Sequence, residues 1–320
     1  MKQLVGVVFG AIALAGLGLS VEPASAQSIK IAVGQKGGWD TSVPDVGQRG
    51  GIFKRHGIEM DILYTEGAGE TLQAVIADSV EIGVAASTVA VMGAFQKNAP
   101  IRIIGPEATG SVLFFYVRSD SKIKSLKDAG PDTTMAYATP GSSSEVSVQN
   151  LMALYGVKLK PVATGGAAGT FTQVMSGQID IGWGIPPFGL DALAQNKIRI
   201  ITQASEVEAI RNQTVRVNIV NARRLNANKD LVRRFMAAYR ETVDWLYASD
   251  DALKTYAEVA GISFEQAKQV RDGFYVKSIV QQDEIKGLDT SMQEGLKFKN
   301  LAMPLTDAQL KELIQMPPRS

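Results

Sequence analysis

Residues 67–84 return as residues 166–183 without a gap. The first copy reads Gly-Ala-Gly-Glu-Thr-Leu-Gln-Ala-Val-Ile-Ala-Asp-Ser-Val-Glu-Ile-Gly-Val, the second Gly-Ala-Ala-Gly-Thr-Phe-Thr-Gln-Val-Met-Ser-Gly-Gln-Ile-Asp-Ile-Gly-Trp. Setting Gly67 on Gly166 pairs Val75 with Val174, Glu81 with Asp180, Ile82 with Ile181 and Gly83 with Gly182. Each copy spells a loop, a helix, a turn and a strand. Two such units with matched glycines and acids point to two similar lobes rather than one large sheet.

The chain before the first copy fills in one lobe. Ile29-Lys30-Ile31-Ala32-Val33 reads as a short strand, followed by the glycine-rich loop Gly34-Gln35-Lys36-Gly37-Gly38-Trp39. A helix is predicted from Thr41-Ser42 towards Phe53, stopped at Gly57. Residues 58–64 alternate apolar and polar, a second strand. Strand, helix, strand is a βαβ unit, so a parallel sheet covered by helices is expected. Residues 111–118 and 214–220 are strongly β-forming runs, one after each copy. Strands there let the chain cross into a second lobe and return, which places residues 28–110 and 218–320 in lobe one and 111–217 in lobe two. The last third is helical: Leu231, Phe235, Ala238, Val243 and Leu246 follow a helical period, with Asn228 as N-cap.

The first residues carry a different signal. Lys2 supplies a positive charge, residues 4–19 hold no charged side chain, and Ala24-Ser25-Ala26 is the small-x-small pattern of a cleavage site. Residues 1–26 therefore read as a cleaved export leader, with Gln27 as the new N-terminus. A membrane anchor is the competing reading, but a spanning helix wants roughly 20 apolar residues, and this stretch is shorter and holds Gly6, Gly10, Gly16 and Gly18. The expected location is the periplasm. Lys+Arg total 33 against 32 Asp+Glu, so no strong field draws in nucleic acid or a membrane surface. The absence of cysteine removes disulfides, thiolate zinc sites, cysteine nucleophiles and a lipidated N-terminal Cys together. No Ser-His-Asp order, paired-carboxylate motif or metal-ligand spacing is present, so neither catalysis nor a cofactor is expected. The single histidine, His56, stands at a helix end, where a cation offsets the dipole.

With these pieces in this order the chain resembles the nitrate/sulfonate/taurine group of ABC-transporter substrate-binding proteins over nearly all of its length after the leader. The matching stretches are residues 29–33 with their loop, Gly51-Ile-Phe-Lys-Arg-His-Gly57, Val80-Glu-Ile-Gly83, Ser142-Ser-Ser144, Ser176-Gly-Gln-Ile-Asp-Ile-Gly182 and the helix after Asn228. The resemblance implies a type II periplasmic binding protein: two doubly wound α/β lobes joined by two crossing strands and closing on a ligand. It also implies an ABC permease with its ATPase as partner, and a monomer suits a protein that docks and releases. The thiamine-pyrimidine synthases resemble the same proteins, but they are cytosolic and depend on a cysteine-rich segment. A binding subunit for another transporter or a sensor kinase is a third reading.

In open parallel sheets, ligands bind beyond the carboxyl ends of the strands, where helix N-termini present unpaired N–H groups to an anion. Three loops fit: Gly37-Gly38-Trp39, Ala86-Ser87-Thr88, and Thr139-Pro140-Gly141-Ser142-Ser143-Ser144. Trp183, at the strand end of the second copy, faces the same cleft if the lobes are alike, and an aromatic there favours an organic ligand over bare nitrate. The candidate ligand-binding residues are thus Gly38, Trp39, Ser87, Thr88, Gly141, Ser142, Ser143, Ser144 and Trp183, with Thr109 beside the first crossing. Each has a plainer alternative, since a Ser or Thr before a helix is commonly an N-cap and Trp39 can pack against its own lobe. Arg118, Arg216 and Lys36 could meet a carboxylate or sulfonate, or be ion-paired. Glu66 and Asp40 could meet a ligand amine. The pattern suggests a small anion held largely by neutral donors, with sulfonates, taurine, carboxylates and nitrate all open.

Overall fold

The computed structural model describes residues 26–319; the leader expected over residues 1–26 lies, but for Ala26, outside them. The first lobe opens with β1 (Gln27–Gly34), α1 (Val43–Arg49), α2 (Ile52–Arg55), β2 (Ile58–Thr65), α3 (Ala68–Ile76), β3 (Ile82–Ser87), α4 (Thr88–Gln96) and β4 (Ile101–Thr109). The second holds β5 (Phe114–Arg118), β6 (Thr134–Tyr137), α5 (Ser143–Tyr155), β7 (Lys160–Ala163), α6 (Ala167–Met175), β8 (Gly182–Gly184), α7 (Leu190–Ala194) and β9 (Ile198–Gln203). After α8 (Glu208–Arg211) the chain returns as β10 (Thr214–Asn221) and then runs helical through α9 (Ala222–Ala227), α10 (Lys229–Ala248), α11 (Asp250–Ala260), α12 (Phe264–Gly273), α13 (Leu288–Lys297) and α14 (Asp307–Leu313).

The first sheet has the order β2-β1-β3-β10-β4, with β1 parallel to β2 and β3, and β10 antiparallel to both its neighbours. In the second lobe β5 lies antiparallel between β8 and β9, and β6 runs parallel to β7. A bridge from Met135 to Ile181 joins the two pieces, giving the order β7-β6-β8-β5-β9. The lobes therefore share one plan, in which an antiparallel strand that has just crossed over sits next to the outermost strand. β10 already pairs in the first sheet at Thr214, earlier than the 218 at which the sequence places the return. The crossings run side by side: Gly110 N–H donates to Gln213 O at 2.9 Å, and the Thr109 and Thr214 hydroxyls lie 2.9 Å apart.

The repeat has a structural cause at each matched position. α3 and α6 start from Gly67 and Gly166 as N-caps. Thr65 and Thr71 pair their hydroxyls at 2.8 Å, and Thr164 and Thr170 do so at 2.6 Å. The matched acids each hold a parallel strand in their own lobe: Glu81 Oε2 accepts from Lys30 N of β1 at 2.7 Å, and Asp180 Oδ2 from Thr134 N of β6 at 2.8 Å. Asp78 and Gly177 make the same left-handed turn, with φ of 58° and 78°.

The single helix expected over residues 41–53 is two. Gly51 takes φ +71°, and a Cβ at Gly50 would lie 2.5 Å from the Trp245 ring, so α10 packs where a continuous helix would need side chains. α10 is capped by Asn228, whose Oδ1 accepts from Leu231 N at 2.9 Å, and buries Leu231, Phe235, Val243 and Leu246. Each such side chain contributes roughly 1.5–3 kcal/mol on burial. Among the described residues no helix is long and apolar enough to cross a membrane.

Candidate functional site

The lobes meet face to face at the carboxyl ends of their parallel strands, and a narrow cavity of about 30 Å³ lies between them. Gly34, Gln35, Gly67 and Ala85 line it from the first lobe; Ala138, Ser142, Ser143, Ser144 and Trp183 line it from the second. Close approach depends on glycine: a Cβ at Gly67 would sit 2.8 Å from Thr139 Oγ1, and one at Gly69 2.0 Å from Pro140 O. Gln35 and Ala85 both have φ of 69°. Left-handed backbone costs a non-glycine residue about 1 kcal/mol or more, and such strain gathers at functional sites.

The triple serine divides by role. Ser142 caps α5, accepting from Glu145 N at 3.2 Å; Ser144 Oγ accepts from Ala138 N at 2.9 Å; the two hydroxyls lie 2.8 Å apart. Gly141, at φ +79°, donates its N–H to Glu145 Oε2 at 2.7 Å and stands outside the cavity lining. Among the described residues the Ser143 hydroxyl is not engaged in a hydrogen bond, and Ser143 also lines a second small space beside Ser87. Ser87 is the N-cap of α4 yet makes no side-chain capping bond, whereas Thr88 spends its hydroxyl on Thr214 O at 2.7 Å. Trp183 is buried, and its indole Nε1 has no hydrogen-bond partner among the described residues.

Other candidates are committed elsewhere. Trp39 is fully buried against Tyr247 and Tyr256, edge to face, and its indole N–H donates to Tyr247 OH at 3.0 Å. The plainer alternative, packing within its own lobe, is where it stands. Gly38 O accepts from Ser42 N and Thr41 Oγ1 in the turn before α1. Thr109 bonds Thr214 and Gln281 at the crossing. Neither Gly38 nor Thr109 lines the cavity.

The charges are likewise paired. Arg216 reaches the cavity, but its Nε donates to Glu107 Oε2 at 3.0 Å and its Nη2 to Asp40 Oδ2. Asp40 also accepts from Thr41 N and Tyr275 OH. Two acidic side chains thus share one guanidinium away from water. Burial drives the Glu107 carboxyl up, against the pull of Arg216 and with the push of Asp40. Burial works to lower Arg216, yet the two acids hold it above its ordinary value. Arg118 pairs with Asp120, Lys36 lies 5.6 Å from the Tyr64 ring centre, and Glu66 accepts the Gly166 N–H. The network around Arg216 was invisible in sequence because its members come from four separate segments, near residues 40, 107, 216 and 275. The space between the lobes is thus lined by the first turns of α3 and α5 with the Ser143 and Trp183 donors, and Ser143 shares the smaller neighbouring space with Ser87 at the start of α4. Among the described residues no group of three or more His, Asp or Glu is placed to hold a metal ion.

The family model described as NMT1/THI5 like matches residues 46–253. No curated protein matches the sequence. Among solved structures, the alkanesulfonate-binding protein SsuA from Xanthomonas axonopodis pv. citri, bound to MOPS, superposes with a TM-score of 0.74 at 15% identity, covering 93% of this chain and 100% of that one. The periplasmic nitrate-binding protein NrtA from Synechocystis PCC 6803 gives 0.68 at 12% identity, covering 92% and 87%. The desulfurization enzyme DSZB gives 0.62 at 15% identity, covering 90% and 96%. At these identities the likeness is one of fold, the type II periplasmic binding protein fold that the family resemblance implied. The chain belongs to the NMT1/THI5-like family.

Proposed function

We propose that this chain is the periplasmic solute-binding component of an ABC importer, taking a small organic anion of sulfonate, taurine or carboxylate type by closure of its lobes. One observation carries the reading: helix N-termini from both lobes converge on one cavity with Ser143 and Trp183 still free to donate, while the neighbouring carboxylates are spent within the protein. Helix N-termini and neutral donors suit an anion without a dedicated cation. The lobes, 28–110 with 218–320 and 111–217 in outline, would rotate about the paired crossings at Gly110 and Gln213. Closing buries the solute, and a permease with its ATPase would read the closed form of the monomer. The leader would deliver the chain to the periplasm.

DSZB shares the fold, so an enzyme is the second reading. Against it, the cavity lining offers hydroxyls, glycines and an ion-paired arginine, and His56 is bonded to Glu241 at 2.7 Å. A thermal-shift screen against sulfonates, taurine, nitrate, bicarbonate and carboxylates tests the proposal. A ligand at 100 times its Kd stabilises by about 2.7 kcal/mol. A flat screen, repeated after unfolding and refolding to strip retained ligand, would remove the reading of an anion binder.

A further inference from the structure

The cavity between the lobes has room for an anionic head and little more, since a single water needs about 10–15 Å³ by the same measure and the whole space is about 30 Å³. A much larger cavity of about 360 Å³ lies in the second lobe, and Trp183 lines both. Its walls are Tyr116, Phe171 and Phe188, and the first turn of α6 contributes Ala167 and Ala168. Gly184 lines it where a Cβ would lie 2.6 Å from the Phe114 ring. The mouth touches the first lobe. A Cβ at Gly37 would sit 3.5 Å from the Phe188 ring, and Gln266 on α12 donates to Asp191 at the rim at 2.8 Å. Tyr116 is 2% exposed, and among the described residues its hydroxyl is not engaged in a hydrogen bond. Burial alone accounts for its raised pKa. The buried Trp183 indole N–H, unspent beside an aromatic hollow, is a polar group whose partner belongs to a ligand.

We propose that this cavity receives the aromatic ring of the bound solute, so that the transported class is a ring-bearing organic anion with its head at the helix N-termini and its ring beyond Trp183 among Tyr116, Phe171 and Phe188. The proposal rests on the binding-protein reading above. A volume of about 360 Å³ falls in the range of small-molecule sites, and the Tyr116 hydroxyl is placed to bond a polar ring substituent.

Calorimetry on the purified protein with benzenesulfonate, methanesulfonate and benzyl alcohol tests it. Benzenesulfonate should bind at least about tenfold more tightly than methanesulfonate, the gain expected for burying a ring. Ala168→Trp, which fills the cavity from an exposed helix position, should erase that advantage and leave methanesulfonate unchanged. Phe188→Ala, a second variant, should weaken benzenesulfonate alone. Equal affinity for the two sulfonates, or an Ala168→Trp protein that keeps the advantage, overturns the proposal. Binding of benzyl alcohol that Ala168→Trp abolishes, with no binding of methanesulfonate, upholds the cavity and sinks the anion reading instead.

Discussion

Glu66 Oε2 accepts the backbone N–H of Gly166 across the cleft at 2.7 Å, tying the residue before one repeat to the first residue of the other. A carboxylate at a helix N-terminus contributes about 0.3–1 kcal/mol where water reaches it, and on the proposed lobe closure a cross-lobe bond of this kind belongs to the closed form alone. Glu66→Ala should therefore weaken solute binding up to about fivefold and raise the radius of gyration of the unliganded protein in X-ray scattering. An unchanged Kd and unchanged scattering would show that the contact does not bias closure.

The three serines should separate cleanly on substitution. Ser144→Ala removes the acceptor of a buried backbone N–H and should cost about 1–3 kcal/mol in denaturant unfolding. Ser142→Ala loses a cap and should cost about 1 kcal/mol. Ser143→Ala should leave stability within about 0.5 kcal/mol and lower solute affinity. Stability loss at Ser143 with unaltered affinity would remove it from the site.

Trp39 should prove a stability residue. Trp39→Phe keeps most of the packing against Tyr247 and Tyr256 but drops the bond to Tyr247 OH, at a cost of about 1 kcal/mol, while Trp39→Ala should cost about 3–5 kcal/mol. Calorimetric melting reads both. An affinity loss on Trp39→Phe without a fall in Tm would return Trp39 to the ligand.

Glu107 should give stability a pH dependence of unusual sign. Burial pushes its carboxyl up to about 8 from an ordinary 4.5, so the folded state holds a proton that the unfolded chain releases earlier. The stabilisation is complete below pH 4.5 and is lost as pH rises through about 8. Glu107→Gln cannot titrate, so relative to the wild-type protein it should gain stability steadily between those limits. Parallel unfolding curves for the two proteins across that range would contradict it.

How far the sequence reached depended on the distance over which each residue finds its partners. The repeat fixes local geometry within about twenty residues, and the helix starts and the matched acids followed from it, as the crossings did from the β-forming runs after each copy. The packing of Trp39 was not legible because what surrounds it is remote: Tyr247 lies 208 positions further along the chain. A tryptophan in a glycine loop carries the same local signature whether it faces a solute or a downstream helix. The Asp40–Arg216–Glu107 cluster was hidden for the same reason, and so was the break between α1 and α2, which answers to Trp245. Within the triple serine, composition marked the loop, but only the hydroxyl bonding tells Ser143 from its neighbours.

The placing of β10 between β3 and β4 has a consequence for how the chain is made. Until residues 214–221 emerge, β3 and β4 have no common neighbour, and their inward edges stay unpaired while the whole second lobe is synthesised. Unpaired apolar edges recruit other chains, and joining strands so far apart in sequence is slow. The first half of this protein is thus a poor candidate for early independent folding. A chain that waits for its last third before sealing its first sheet keeps those edges open for as long as the second lobe takes to emerge.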